Sequence, residues 1–181
     1  MNSTFHEFMP FVLKWEGVWS DHPMDKGGKT KYGIIESELP NWFPGTRIED
    51  LSEAQARHIY WHKYFVGAGI EKLPEWLGLF MFDTGINMGR SRAKQILQMT
   101  INNQNYENSF EKLKVDRVIG PKTLAALAKC DKNLLFCELI ACRMYFYRIF
   151  RDHKYFGAGW GNRANDLCKF YDMKNYMLNQ R

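Results

Sequence analysis

Cysteine is missing from residues 1–129 of this 181-residue chain, and the four cysteines all follow in the C-terminal part. Their spacings match no zinc-binding pattern, so we expect free thiols that pack as small hydrophobic groups. The N-terminal part therefore offers no cysteine nucleophile. The four positions are Cys130, Cys137, Cys142 and Cys168.

Long hydrophobic runs are also missing. No stretch approaches the length that spans a bilayer, so we expect no stable membrane insertion. The short apolar patch at residues 9–13 has no basic residue before it and does not fit a secretory signal. We therefore expect synthesis in the cytoplasm, with a separate route of release or export if the protein acts outside it.

A dense run of Lys and Arg is missing as well, although the formal net charge is +5. This modest charge favours an acidic partner such as cell-wall polymer, and it argues against a nucleic-acid-binding protein. His58 and His62 have a metal-like spacing of four, but no Glu lies between them at the metalloprotease position. We expect no metal and no cofactor.

Helical patterns dominate what is present, and 45% hydrophobic residues argue against disorder. The patterns predict a mainly α fold with a small irregular or β-hairpin segment after the first helix. Capping and breaker residues place the predicted helix ends. They are a Thr4–Glu7 capping box, a Ser52–Gln55 cap, a helix from Pro74 to Gly89, starts at Pro121 and Asp131, and a last helix after Gly161.

Glu16 is the most informative residue in the chain. It continues the apolar stripe of the first helix at the turn after Val12 and Leu13, just before the helix-stopping Gly17. A carboxyl held among apolar neighbours has a raised pKa, and a protonated carboxyl can protonate the leaving oxygen of a glycoside. The alternative is a solvent-facing Glu beyond the helix core.

The segment after Glu16 is rich in turn residues and predicts a loop or hairpin that folds back over the helix end. It carries Asp25, Thr30 and Tyr32. A second carboxylate and a hydroxyl near a catalytic acid would position water or stabilise the transition state. Asp25 could instead cap a turn before the paired glycines.

This segment resembles the signature of the family 108 glycoside hydrolases, which are N-acetylmuramidases of phage endolysins and secretion-associated systems. The resemblance implies that Glu16 is the acid and that Asp25 and Thr30 line its cleft, with Tyr32 binding substrate. Val18 stands where the family has a second glycine. The matching positions are Glu16, Gly17, Pro23, Asp25, Gly27, Gly28, Thr30, Tyr32, Gly33 and Ile34.

The third predicted helix carries a polar pair, Asp83 and Asn87, on its apolar face. Such a pair either joins helices by hydrogen bonds or lines a cleft. The segment around it also resembles the family, which implies that Asn87 binds the sugar and makes Asp83 a rival to Asp25.

The C-terminal half resembles the peptidoglycan-binding module that usually completes these enzymes. The resemblance lies in residues 115–124, where Arg117 replaces a usual glycine, and in residues 159–163. It implies that Trp160 stacks on a sugar and Arg163 meets a peptide carboxylate. The alternative is that Trp160 is a packing anchor and Arg163 its surface partner.

These observations predict a lysozyme-like N-acetylmuramidase, with a catalytic domain at residues 1–92 and a peptidoglycan-binding region at residues 93–181. Peptidoglycan is the expected partner, reached with the help of a holin or another export route. The alternatives are a lytic transglycosylase and a non-catalytic wall-binding protein.

Overall fold

The computed structural model describes residues 1–20, 28–106, 109–149 and 153–179. The chain divides into two compact units, Met1–Ala68 and Gly69–Arg181. The expected domain boundary at residue 92 falls inside the second unit, within a helix. Compactness does not itself define a catalytic domain, so the assignment of residues 1–92 to catalysis stays a prediction.

The first unit begins with helix α1, Ser3–Glu16. Its cap is Asn2, whose Oδ1 accepts a hydrogen bond from the Phe5 backbone N–H at 2.9 Å. The predicted capping box at Thr4 is therefore wrong, because Asn2 is itself a strong capping residue and starts the helix earlier. Pro10 lies inside α1, which is assigned as one continuous helix. As predicted, α1 ends at Gly17, whose φ is 71°.

A three-stranded antiparallel sheet follows, with the order β1-β2-β3. Strand β1 is Trp19–Ser20, β2 is Thr30–Lys31 and β3 is Ile34–Ile35. Lys31 pairs with Ile34, so β2 and β3 are joined by a two-residue loop. Both loop residues, Tyr32 and Gly33, have positive φ, of 51° and 73°. Positive φ at both positions is typical of the type I′ hairpin turn, and the predicted hairpin is confirmed.

The first unit closes with short helical elements. The 3₁₀ helices Glu36–Asn41 and Ile48–Asp50 precede α2, Glu53–Ile59, which continues as a π-helix over Tyr60–Val66. The predicted cap of α2 is present as a reciprocal pair. The Gln55 N–H donates to Ser52 Oγ, and the Ser52 N–H donates to Gln55 Oε1.

The described residues of the second unit form helices and connecting loops, without a strand. After a 3₁₀ turn at Ile70–Lys72 come α3, Glu75–Met88, α4, Arg90–Asn103, and α5, Pro121–Leu127. The long helices α6, Lys132–Ile149, and α7, His153–Asn179, complete it. The predicted ends of α3 and starts of α5 and α6 are confirmed. Two predictions fail: α4 was missed, and α7 begins before Gly161.

The mainly α, lysozyme-like fold with a small sheet after the first helix is thus confirmed. The four cysteines are free, as expected, but they are not fully buried, and Cys137 is exposed. Among the described helices, none combines the length and the apolar character needed to cross a bilayer.

Candidate active site

Glu16 is the last residue of α1, and its side chain is half-buried. The β2–β3 turn lies directly against it. A Cβ atom built on Gly33 would lie 2.7 Å from Glu16 Oε2 and 2.9 Å from Glu16 Cβ. Only glycine fits this position, because any side chain would displace the Glu16 carboxyl. The structure therefore places Glu16 beneath a tight backbone turn and not in open solvent.

Tyr60 also contacts this turn. It is 1% exposed and lies at the start of the π-helix. Its hydroxyl donates a hydrogen bond to the Tyr32 carbonyl oxygen at 2.8 Å. The Cβ position on Gly33 would lie 2.5 Å from the Tyr60 hydroxyl oxygen. Glu16, the turn and Tyr60 therefore form one contiguous cluster.

Thr30 and Tyr32 both belong to the hairpin that carries this turn. Thr30 pairs with Ser20 on β1 and with Ile35 on β3, and its side chain is half-buried. Tyr32 is half-buried, and its ring centroid lies 5.8 Å from Lys31 Nζ. Asp25, the expected second carboxylate, lies outside the described residues. The structure thus places Thr30 and Tyr32 on the hairpin whose turn covers Glu16.

Lysines on strand β2 fasten the hairpin to the rest of the unit. Lys29, just before β2, pairs with Glu49 Oε1 at 3.0 Å, and Lys31 Nζ donates to the Glu49 carbonyl oxygen. Glu49 belongs to the 3₁₀ helix Ile48–Asp50. The hairpin is thereby anchored both at its turn, by Tyr60, and along β2.

Asp83 lies in the second unit and is completely buried. Its Oδ2 lies 2.7 Å from Arg143 Nη1, and its Oδ1 lies 2.6 Å from Arg163 Nη2. Burial by itself would raise the pKa of Asp83, but the charges of Arg143 and Arg163 outweigh it, and the pKa lies below its usual value. Asp83 is therefore an ionised partner of two buried arginines.

Asn87 and Trp160 contact the same group of side chains. Asn87 Oδ1 accepts a hydrogen bond from the Tyr147 hydroxyl, which in turn accepts one from Arg143 Nε, each at 2.8 Å. The Trp160 ring stacks on Tyr147 with centroids 4.9 Å apart. These contacts join α3, α6 and α7 and favour the structural alternative for Asp83, Asn87 and Trp160.

Arg163 is 4% exposed, so it is not the surface partner of Trp160 that the packing alternative envisaged. Its guanidinium binds Asp83 instead. Substrate binding by Asp83, Asn87, Trp160 and Arg163 stays a prediction, but these contacts occupy the groups that would have met the glycan.

Sequence reasoning missed two residues of these clusters. Arg143 lies one turn beyond Leu139 on the buried face of α6. A charged residue on an apolar stripe is the same sequence signal that drew attention to Glu16, and it could have identified Arg143. No comparable sequence signal distinguishes Tyr60, because most of its neighbours in residues 60–65 are also aromatic.

Within the motif at residues 115–124, Arg117 stands at the position where the resembled pattern has glycine, and peptidoglycan binding by this motif stays a prediction. Arg117 has a φ of 67°, the left-handed conformation in which glycine is usual. Its N–H donates to Gln98 Oε1 at 2.7 Å, and Asp116 Oδ1 accepts from Gln98 Nε2 and the Val118 N–H. Three hydrogen bonds thus hold the arginine in a conformation that it rarely adopts.

His58 and His62 have ring centroids 4.3 Å apart, and His58 also packs against the rings of Trp42 and Phe43. Within the part of the chain that the structure describes, no group of three His, Cys, Asp or Glu side chains is placed to hold a metal ion.

Residues 9–89 match the family model described as Glycosyl hydrolase 108. This segment contains Glu16 and the hairpin, and it extends through α3. The predicted family is confirmed for residues 9–89, which form a glycosyl hydrolase 108 domain and make this protein a glycoside hydrolase. The match of this domain and of the fold supports a peptidoglycan hydrolase in general.

The whole chain is also similar to a solved structure, "Structure of Brucella abortus SagA". The two share 29% sequence identity with a TM-score of 0.77, and the similarity covers 93% of each chain. No curated protein sequence matches the chain. The fold of this glycoside hydrolase therefore extends over both compact units, well beyond the segment that the family model matches.

Proposed function

We propose that this chain is an N-acetylmuramidase that hydrolyses the β-1,4 bond between N-acetylmuramic acid and N-acetylglucosamine. Glu16 is the general acid. The observation that carries the proposal is the placement of Glu16, half-buried at the C-terminal end of α1 and covered by the β2–β3 turn. Both partial burial and the negative end of the helix dipole disfavour an ionised carboxylate there. A carboxyl that keeps its proton can protonate the leaving oxygen.

Asp25 and Thr30 complete the proposed site. Asp25 is the second carboxylate or the group that positions water, Thr30 supports it, and Tyr32 contacts the substrate. Thr30 and Tyr32 lie on the hairpin next to Glu16. The rival carboxylate, Asp83, is buried between two arginines, and this favours Asp25.

The proposed biological role is degradation of the cell wall, either for host lysis or for passage of a secreted protein or toxin. We propose that the enzyme is made in the cytoplasm, needs no cofactor, and reaches the wall through a holin or another export route.

Replacement of Glu16 tests the proposal directly. Glu16→Gln keeps the side-chain shape but cannot deliver the proton, so lysis of purified sacculi should fall by about 100-fold or more. Glu7→Gln, an exposed position on the same helix, is the matched control and should keep full activity. Near-normal lysis by Glu16→Gln would overturn the assignment.

The products identify the reaction. Hydrolysis adds water and yields reducing N-acetylmuramic acid ends, whereas a lytic transglycosylase yields anhydro ends. Mass spectrometry of the fragments released from sacculi separates the two. A protein that sediments with sacculi and releases no fragments would instead be a binding module.

A further inference from the structure

We propose that Tyr60 is a positioning residue for the general acid. Its hydroxyl holds the Tyr32–Gly33 turn against Glu16, and its oxygen acts as a hydrogen-bond acceptor toward the Glu16 carboxyl. The inference rests on the proposed role of Glu16, and it assigns a function to an aromatic residue that core packing alone would not require to carry a hydroxyl.

Close packing around Gly33 brings the two oxygens together. The Cβ position of Gly33 lies 2.5 Å from the Tyr60 hydroxyl oxygen and 2.7 Å from Glu16 Oε2. Both oxygens therefore lie beside the Gly33 backbone, in the space where a side chain would stand. A glycine is needed there because any side chain would displace both the hydroxyl and the carboxyl.

The direction of the hydrogen bond from Tyr60 to Tyr32 determines whether the Tyr60 oxygen can donate or accept toward Glu16. A phenol has one proton, and Tyr60 donates it to the Tyr32 carbonyl at 2.8 Å. Toward the carboxyl the oxygen can therefore only accept. A protonated carboxyl can donate a hydrogen bond to this oxygen. An ionised carboxylate has no proton to donate, so its oxygens and the Tyr60 oxygen repel each other. The arrangement thus stabilises the proton-bearing form of Glu16.

The alternative is that Tyr60 is purely structural. Its ring packs 5.8 Å from that of Tyr64, and its hydroxyl ties down the turn. Either role would make loss of the hydroxyl lower the stability. Only the positioning role changes the pH at which the catalytic acid loses its proton, so the pH profile separates the two.

The test compares Tyr60→Phe with the matched control Tyr64→Phe, which removes a half-buried hydroxyl four residues further along the same π-helix. Kinetics are measured on soluble glycan strands across the pH range. For Tyr60→Phe, we expect the alkaline limb of kcat to move to lower pH by roughly half a unit to one unit. At neutral pH, kcat should fall about threefold to tenfold, the equivalent of one hydrogen bond, while KM stays within about twofold. Tyr64→Phe should keep the wild-type profile.

A wild-type pH profile for a folded Tyr60→Phe enzyme overturns the inference. If this variant does not fold, a ¹³C NMR titration of Glu16 and Tyr60 in the native enzyme decides instead. A Tyr60 Cζ resonance that shifts at the pH where the Glu16 carboxyl titrates supports the inference, and one that does not follow this titration overturns the inference.

Failure of this inference is distinguishable from failure of the proposed function. Near-normal lysis by Glu16→Gln would remove both. An inactive Glu16→Gln together with an unchanged profile for Tyr60→Phe would remove only the role of Tyr60. Adding Tyr60→Phe to Glu16→Gln should cause no further loss of residual activity, because the hydroxyl acts through the carboxyl.

Discussion

At the scale of single residues, Gly33 is required for two reasons: its backbone conformation and the lack of space for a side chain. Its φ of 73° is costly for any residue with a Cβ, and that Cβ would collide with Glu16 and Tyr60. Gly45 has a φ of 81° but no atom within 4 Å of the equivalent Cβ. Substituting each glycine in turn therefore separates the free-energy cost of the backbone conformation from the cost of the steric collision.

We expect Gly45→Ala to lower the free energy of unfolding by about 1 kcal/mol. Gly33→Ala should lose roughly 1–3 kcal/mol more, because the Glu16 and Tyr60 side chains must move. Lysis should fall on the order of 100-fold for Gly33→Ala and stay near normal for Gly45→Ala, since displacing the acid misaligns it. Denaturant unfolding and sacculus lysis measure these effects. Equal effects of the two substitutions on lysis would contradict the role of the turn.

Residue patterns could mark Glu16 as a candidate because a carboxylate on an apolar stripe is unusual and can be seen in the sequence alone. They could not identify Tyr60, because an aromatic residue among aromatics is ordinary in sequence. Its importance arises from a contact with Tyr32, 28 positions away, that only the folded chain creates. Arg163 was noticed for its motif, but its partner Asp83 could not be read from the pattern of either helix.

At the scale of elements, the ion group of Asp83, Arg143 and Arg163 joins α3, α6 and α7. Removing one member leaves the others buried without compensation. We expect Asp83→Asn to lower the free energy of unfolding by about 3–5 kcal/mol. Glu111→Gln removes an exposed pair with Lys122 and should cost no more than about 1 kcal/mol. A small effect of Asp83→Asn in denaturant unfolding would contradict this role.

The same group predicts how stability depends on acid. The pKa of Asp83 is lower in the folded protein than in the unfolded chain, where it is about 3.9. The stabilising contribution is therefore fully present above the unfolded value and is lost as the pH falls below it toward the folded value. Wild type should lose stability over this acidic range, and Asp83→Asn should lose less. Parallel stability curves for the two proteins would exclude Asp83 as the source.

Helix ends with strong local signals were predictable, and the others were not. Ser52, Pro121 and Asp131 each supply a cap or an initiating residue that works through neighbouring backbone. Helix α4 was missed because only Gly89 separates it from α3. Helix α7 contains Gly157, Gly159 and Gly161, which local propensity reads as breaks although the helix continues through them.

At the scale of the whole molecule, the formal charge of +5 favours association with an acidic wall polymer. We expect the inactive Glu16→Gln protein to bind intact sacculi several-fold more weakly in 1 M than in 0.1 M salt. The Debye length falls from about 10 Å to about 3 Å over this range. Depletion of protein from the supernatant measures the binding, with a neutral osmolyte as control. Salt-independent retention would mean that uncharged contacts dominate.

The family could be recognised from a segment of nineteen residues because its turn glycines and polar residues lie close together in the chain. The boundaries of the two compact units could not be predicted from the sequence. Residues 9–89 cross from Met1–Ala68 into Gly69–Arg181, so the recognisable segment and the packing units do not coincide. Which helices pack into one unit depends on side-chain partners distant in sequence.

The buried ion group of Asp83, Arg143 and Arg163 also constrains how this sequence can change during evolution. Asp83 and Arg143 are fully buried and Arg163 nearly so, and each is tolerated there only because the others are present. A lineage that exchanged them for apolar side chains would have to pass through forms that keep only part of the set. Such intermediates fold poorly, so we expect these three positions to be inherited as a unit or replaced together.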